Sequence, residues 1–539
     1  MRLLGRIPVL GPFLVELLAP HTVVYRRHGD REDRVRRLRA QGLAMLTIVT
    51  GLAYLLWLVG VIDWNHPLIG GAFLGAEIGC LGLFVLASTG AWRMRFKPVV
   101  APMALKAVPT DILITVCGEP LSVVTRTLEA ALAVRWPGIK TVYVLDDKGS
   151  DEVEALSARL GAVYVSRAKD GAGNKDYKAG NLNYGLARAR GEYVMTLDAD
   201  QVPEPDILER MAPYLTIPRT AFVQSRQSFL VPEGDPFYCQ DLVFYNTLQP
   251  AFDAHDMVLS CGSGVLYRRE ALDENGGFAT WNLVEDLTTS YELHSRGWKS
   301  IYYPYPLAAG LAPDTVWGVY KQRGQWAFDT MRLFFWRNPL VQHGLAWQKR
   351  INYFIIGYSY ITAGFIAPLF YLIPIWTYVT GHTVLTGREI DFALWRTLYF
   401  LTMTLAMRWL FRHHEPGKQF QMLVGLFPIY AANTIRALFY PRSKPGYTVN
   451  NQKPARRKRA WPPVVALTPQ LALLLANAIG PFYALFMHTT SPRIVAANAC
   501  VSAMAIWSLS HVCIAALDRH SWQRERDPVT FYALPARHS

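Results

Sequence analysis

The sequence predicts an α/β domain set between two groups of apolar, membrane-crossing helices, and three observations carry that reading. Apolar runs of spanning length fall near 43–62, 68–91, 353–380, 392–413, 464–487 and 494–517, where about 20 apolar residues suffice to cross a bilayer core. Between the second and third runs, strand-like and helix-like segments alternate. Acidic pairs stand where two of those strands end. Composition agrees: of 539 residues 51% are hydrophobic and 18% charged, against about 25% charged in an ordinary soluble domain. Mean hydropathy is +0.12. These values exclude a disordered or collagen-like chain and argue against a simple soluble enzyme. The scattered cysteines (Cys80, Cys117, Cys239, Cys261, Cys500, Cys513) contain no CxxC. They form neither a disulfide framework nor a zinc site, and place the soluble part in a reducing compartment.

The chain divides into residues 1–97 (an interfacial segment and two spans), 98–350 (the soluble domain with an interfacial helix) and 351–539 (the later spans). Residues 1–20 are apolar but broken by Pro8 and Pro12, with no small-residue cleavage site after them, so they read as interfacial and not as a signal peptide. Arg396 and Arg408 interrupt the fourth run. Residues 418–440 are ambiguous, because they hold Pro428 and Arg436 and begin with polar residues. Charge decides between the two topologies. The loop at 441–460 contains Arg442, Lys444, Lys453, Arg456, Arg457, Lys458 and Arg459 and no acid, and basic loops stay in the cytoplasm. If 418–440 lies flat as an amphipathic surface helix, the basic stretches 26–39, 93–97, 441–459 and 519–526 all face inward. The expectation is six spans with both termini inside. The run 456–459 is then a topology determinant and an anionic-lipid contact. Glu77, inside the second span, reads either as a helix–helix hydrogen-bond partner or as a channel-lining residue.

Each element of the soluble domain has its own signal. Asp111–Cys117 is an unbroken strand-like run, Ser122–Val134 a helix, Thr141–Leu145 a second strand ending in Asp146-Asp147. Val153–Leu160 is helical, Ala162–Val165 a strand, Ala179–Arg190 a helix, and Glu192–Leu197 a strand ending in Asp198-Ala-Asp200. Such alternation implies a mostly parallel sheet with helices on both faces. Ligands bind such sheets outside the carboxyl ends of the strands, where both acidic clusters fall. Asp146-Asp147 reads equally as a turn or cap. Asp198-x-Asp200 is more specific: two carboxylates leaving a strand can aim oxygens into one cleft, which suits Mg²⁺ or Mn²⁺ carrying phosphate oxygens and water. A third pair, Glu285-Asp286, follows the turn at Gly276-Gly277. Three acidic stations in a chain of net charge +14 suggest a metal–diphosphate site with a separate base.

At these stations the sequence resembles the membrane-embedded, processive family-2 glycosyltransferases of the cellulose synthase and hyaluronan synthase type. The matching residues are Asp146-Asp147, Lys178-Ala-Gly-Asn-Leu-Asn183, Asp198-Ala-Asp200, Cys261-Gly-Ser263, Val284-Glu-Asp286 and Gln322-Arg-Gly-Gln-Trp326, with His294-Ser-Arg-Gly-Trp298 after the third acidic station. The family pattern is D, DxD, (T)ED and QxxRW. Tyr447, Val449, Asn450 and Lys453 resemble a gating-loop motif, FxVTxK. The departures are Lys148 inside DDG, Val284 for Thr, Gln325 for Arg and Asn450 for Thr. With about twenty residues after the last span, the cyclic-di-GMP-binding β-barrel usual in bacterial cellulose synthases is not expected.

The resemblance implies a cytoplasmic GT-A, Rossmann-like α/β domain and an inverting hexosyltransferase that uses a UDP-glucose-type donor with Mg²⁺ or Mn²⁺. It implies Asp286 as general base and Asp198 and Asp200 as metal ligands. Donor contacts would come from Asp146, Asp147, Lys178, Gln322, Arg323 and Gln325. Acceptor contacts would come from Cys261, Gly262, Ser263, Glu285 and Trp326, the indole serving as a floor for a sugar's apolar face. Expected partners are the UDP-sugar, a growing polysaccharide, membrane lipid and accessory export subunits, but no nucleic acid. The product expected is a β-linked polysaccharide, a β-glucan, extruded across the cell membrane. The alternatives are a non-processive transferase that adds one sugar to a lipid carrier, and a non-catalytic channel or scaffold.

Overall fold

The computed structural model describes residues 30–92, 107–232, 234–313, 315–411, 415–442, 444 and 462–517. Its centre is an eight-stranded mixed sheet in the order β3-β2-β1-β4-β7-β6-β8-β5. The parallel half is β1 (Thr110–Val116), β2 (Lys140–Asp146), β3 (Val163–Val165) and β4 (Tyr193–Asp198). These are the four strands expected from the sequence. The other half is β5 (Val202–Pro203), β6 (Thr220–Leu230), β7 (Val265–Arg268) and β8 (Lys299–Leu311), in which β7 runs antiparallel to both β4 and β6. Parallel pairing is therefore broken at β7, and β6 and β8 again pair parallel.

Strand β1 is buried along its whole length, which is why it reads as a continuous apolar run and not as an alternation. Ile112 and Ile114 face one core with Val124, Leu128, Val153 and Leu208. Leu113 faces the other, with Leu182, Leu186, Leu272 and Leu293. One helix between the strands shows capping at both ends. Ser150 accepts the Val153 N–H to start Asp151–Leu160, and Gly161 ends it in the left-handed conformation at φ 80°. The helix expected to run to Arg190 stops at Leu186.

Among the described residues, five helical stretches are long and apolar enough to cross a membrane: Val35–Val61, Pro67–Gly90, Trp347–Thr380, Thr468–Phe486 and Pro492–Leu517. The fourth expected span is a 22-residue helix, Glu389–Leu410. It is not among the five, because Arg396 and Arg408 lie within it. It nonetheless packs along the first helix: Thr402 Oγ1 lies 3.0 Å from Thr50 Oγ1, and the Tyr399 and Tyr54 rings stack at 5.6 Å. Arg396 forms a short ion pair with the buried Glu77, whose Oε1 also accepts the Tyr54 hydroxyl at 3.1 Å. Glu77 is thus a helix–helix partner. Residues 418–440 lie in two short helices, Pro416–Gly425 and Phe427–Leu438, which meet at Leu426 beside Pro428. Neither has spanning length. The proposed gating residues Tyr447, Val449, Asn450 and Lys453, the basic run 456–459 and the segment 1–20 lie outside the described residues.

Candidate active site

The carboxyl ends of β1, β2 and β4 open on one side of the sheet, and the acidic stations follow from that register. Val116 pairs with Asp146 and Thr115 with Asp198. The third station reaches the same place from elsewhere: Glu285 and Asp286 form the first turn of the helix Glu285–Ser295.

Lys178 ties these stations together. Its ammonium lies 2.6 Å from Asp198 Oδ1 and 3.0 Å from Glu285 Oε1, and it donates to the Gly262 carbonyl at 3.2 Å. Burial works against this charge. Asp198 and Glu285 outweigh burial and hold the ammonium well above the usual lysine range. The turn Cys261-Gly262-Ser263 closes the pocket. Ser263 Oγ accepts the Asp198 N–H at 3.0 Å. Gly262 has φ 75°, and a Cβ there would lie 3.0 Å from Lys178 Nζ and 3.2 Å from both Glu285 Oε1 and Asp286 Oδ2. Glycine is needed for conformation and for space.

The pocket is rich in negative charge. Burial, and then Glu285, push Asp286 up to about 8. Burial, then Asp198 and Glu119, push Asp200 up to about 7. Glu119, which the sequence reading missed, accepts the Cys117 N–H at 2.6 Å and is itself raised by burial. It stands in the Cys117-Gly-Glu119-Pro turn just after β1. The rule that ligands gather at strand ends, applied to β1 as it was to β2 and β4, finds it.

Asp146 and Asp147 stand at the end of β2 as expected, but their carboxylates are bonded within the protein. Asp146 accepts from the Lys148 N–H (2.8 Å), the Ser150 N–H (2.7 Å) and the Tyr164 hydroxyl (2.9 Å). Asp147 takes the Arg167 guanidinium in a two-pronged pair at 2.5 and 2.8 Å.

The Gln322–Trp326 motif lies in the helix Val316–Trp336. Arg323 pairs with Asp241, 2.5 Å away, and its guanidinium sits 4.8 Å from the centre of the half-buried Trp326 ring. Gln325 donates to Asp329 Oδ2 at 3.2 Å. Gln322 is half-buried on the same helix.

Two family models match this arrangement. Residues 109–329 match the one described as glycosyltransferase like family 2, and residues 273–412 the one described as cellulose synthase. Residues 109–329 form a family-2 glycosyltransferase domain. The chain is similar to the cellulose synthase catalytic subunit [UDP-forming] of Xanthomonas axonopodis pv. citri, 33% identical over 342 residues. The match covers 60% of this chain and 46% of that protein. Cellulose synthase 1 of Komagataeibacter xylinus is 29% identical over 408 residues, covering 67% of this chain and 26% of that protein. The chain thus spans less than half the length of these relatives. Among solved structures, the mannosyltransferase PcManGT from Pyrobaculum calidifontis, in complex with GDP-Man and Mn²⁺, has a TM-score of 0.48 at 18% identity. It covers 69% of this chain and 98% of its own.

Proposed function

We propose that the protein is a processive, inverting glycosyltransferase that elongates a β-glucan from a UDP-glucose-type donor and passes it across the membrane. The observation that carries this reading is the convergence of Asp198, Glu285 and Gly262 on Lys178, with Asp200 and Asp286 beside them, at the carboxyl ends of the strands. The similarity to UDP-forming cellulose synthase subunits supports the donor class.

The residues fit a divalent cation. Among the described residues no group of three or more His, Cys, Asp or Glu makes a complete protein cage. Asp198 and Asp200 offer the two carboxylates that Mg²⁺ or Mn²⁺ uses when phosphate and water complete its shell. The crowding that raises Asp200 is what a cation relieves. When bound, the cation neutralises charge on the leaving diphosphate. Lys178 shares that task and orients the phosphates. Asp286 accepts the proton from the acceptor hydroxyl as its oxygen attacks the anomeric carbon and the bond from that carbon to the diphosphate breaks. Trp326 supplies the apolar floor for the acceptor sugar, and Cys261-Gly262-Ser263 contribute further acceptor contacts.

Purified protein in detergent, given a panel of UDP-sugars, should release UDP and build a polymer cut by a β-glucan-specific glycanase. A single-sugar lipid product overturns processivity, and the absence of UDP release overturns the enzyme reading. The domain faces the cytoplasm: an Ala455→Cys variant should react with an impermeant thiol reagent only in opened cells.

A further inference from the structure

Residues 281–284, which lead into the helix carrying Glu285 and Asp286, have no regular structure of their own. Their backbone groups are satisfied by one side of the helix Val316–Trp336. The carboxylate of Asp329, 1% exposed, accepts the Val284 N–H at 2.8 Å on Oδ2 and the Leu283 N–H at 3.3 Å on Oδ1. Its carbonyl accepts the Asn282 amide at 3.1 Å. One turn on, the fully buried Arg332 donates to the Trp281 carbonyl at 2.9 Å and to Asn282 Oδ1 at 2.8 Å. Asn282 in turn reaches Thr288 inside the helix that begins at Glu285, at 3.0 Å. Gln325, four residues before Asp329, donates to the same Oδ2 at 3.2 Å.

We infer that Asp329 is a positioning residue for the glycosyl-transfer reaction, fixing from the interfacial helix where the first turn bearing Glu285 and Asp286 begins. This rests on the reading of Asp286 as the base. A buried carboxylate that takes two successive N–H groups fixes both position and direction of the backbone, and charge-assisted bonds are roughly twice as strong as neutral ones. Gln325 belongs to the same unit. Its amide is held by Asp329, so it steadies the carboxylate and does not reach into the pocket. The donor-binding role expected of Gln325 is here replaced by a link in this support.

The test uses the full-length protein in detergent, with Asp329→Ala, Asp329→Asn and Asp329→Glu. Misplacing a reacting group by about 1 Å costs on the order of 10²-fold in rate. Asp329→Ala should therefore lower kcat on that order, while the donor KM and UDP affinity change by less than about threefold. Asp329→Asn keeps a carbonyl oxygen of the same size for the Val284 N–H and should recover most of kcat. Asp329→Glu keeps the charge but displaces it, and should lose about tenfold. A folded Ala variant with wild-type kcat overturns the inference. If Ala does not fold, wild-type kcat in the Glu variant overturns it. A wild-type protein without transferase activity overturns the functional reading instead, so the two failures are distinguishable.

Discussion

Two acidic pairs leave neighbouring regions of one sheet and meet opposite fates. Asp146-Asp147 and Asp198-Ala-Asp200 look alike in sequence: both follow a buried parallel strand, and both face the same edge of the sheet. Asp146 is saturated by two backbone N–H groups and a tyrosine, and Asp147 by an arginine. Asp198 has Lys178, which it shares with Glu285, and Asp200 is raised by burial and then by Asp198 and Glu119. An acid becomes available for chemistry when the fold gathers more negative charge than it neutralises, whatever its place in a motif.

Four substitutions break or sharpen this contrast. Asp286→Asn has the largest expected effect. Its amide cannot take the proton, so turnover should fall about 10²–10⁴-fold, with UDP binding intact by calorimetry; near-normal turnover would move the base elsewhere. Asp147→Ala should act on stability instead. It removes the counter-charge of the Arg167 guanidinium, whose side chain is 4% exposed and which keeps its bonds to the Lys175 and Tyr177 carbonyls, and breaking a buried pair costs about 3–5 kcal/mol. Thermal unfolding should show that loss, and an unchanged Tm with a raised donor KM would return Asp147 to the donor site. Asp200→Ala should weaken UDP binding about 10–100-fold in Mn²⁺ and hardly at all in EDTA, measured by titration in parallel; equal losses in both would make the carboxylate structural. Asp146→Asn should be mildest. The amide oxygen still accepts one of the two backbone N–H groups, while its NH2 faces the donor that used the other oxygen, so about 1–3 kcal/mol of stability is lost, visible as a shift in denaturation midpoint.

The parallel half of the sheet was legible because β1, β2 and β4 are largely buried and alternate with helices. Beyond β4 the signal failed. β6 and β8 are long and partly exposed, interrupted by Pro306 and by register shifts between Ser225 and Gln227. The stations were legible as residue types, and the sheet register brings Asp146 and Asp198 to one edge as expected. Their partners were not, since Arg167 pairs with Asp147 across 20 residues, Lys178 meets Gly262 across 84, and Asp329 meets Val284 across 45. Such pairings depend on how helices settle on the sheet, which periodicity does not encode. Arg323, expected among the donor contacts, pairs with Asp241 across 82 residues.

The Glu77–Arg396 pair carries a consequence for assembly. An arginine at the centre of a helix costs about 2.5–3.5 kcal/mol to insert by the translocon, so Glu389–Leu410 is a poor candidate to enter the bilayer unaided. Tyr54, 23 residues before Glu77, can satisfy one carboxylate oxygen as soon as the first two helices meet. Arg396 emerges from the ribosome 319 residues after Glu77, once the whole catalytic domain has been made. The first helical hairpin therefore waits, with Tyr54 on its buried carboxylate, as the template onto which the late helix is laid. Synthesis order and membrane insertion order are linked through one carboxylate.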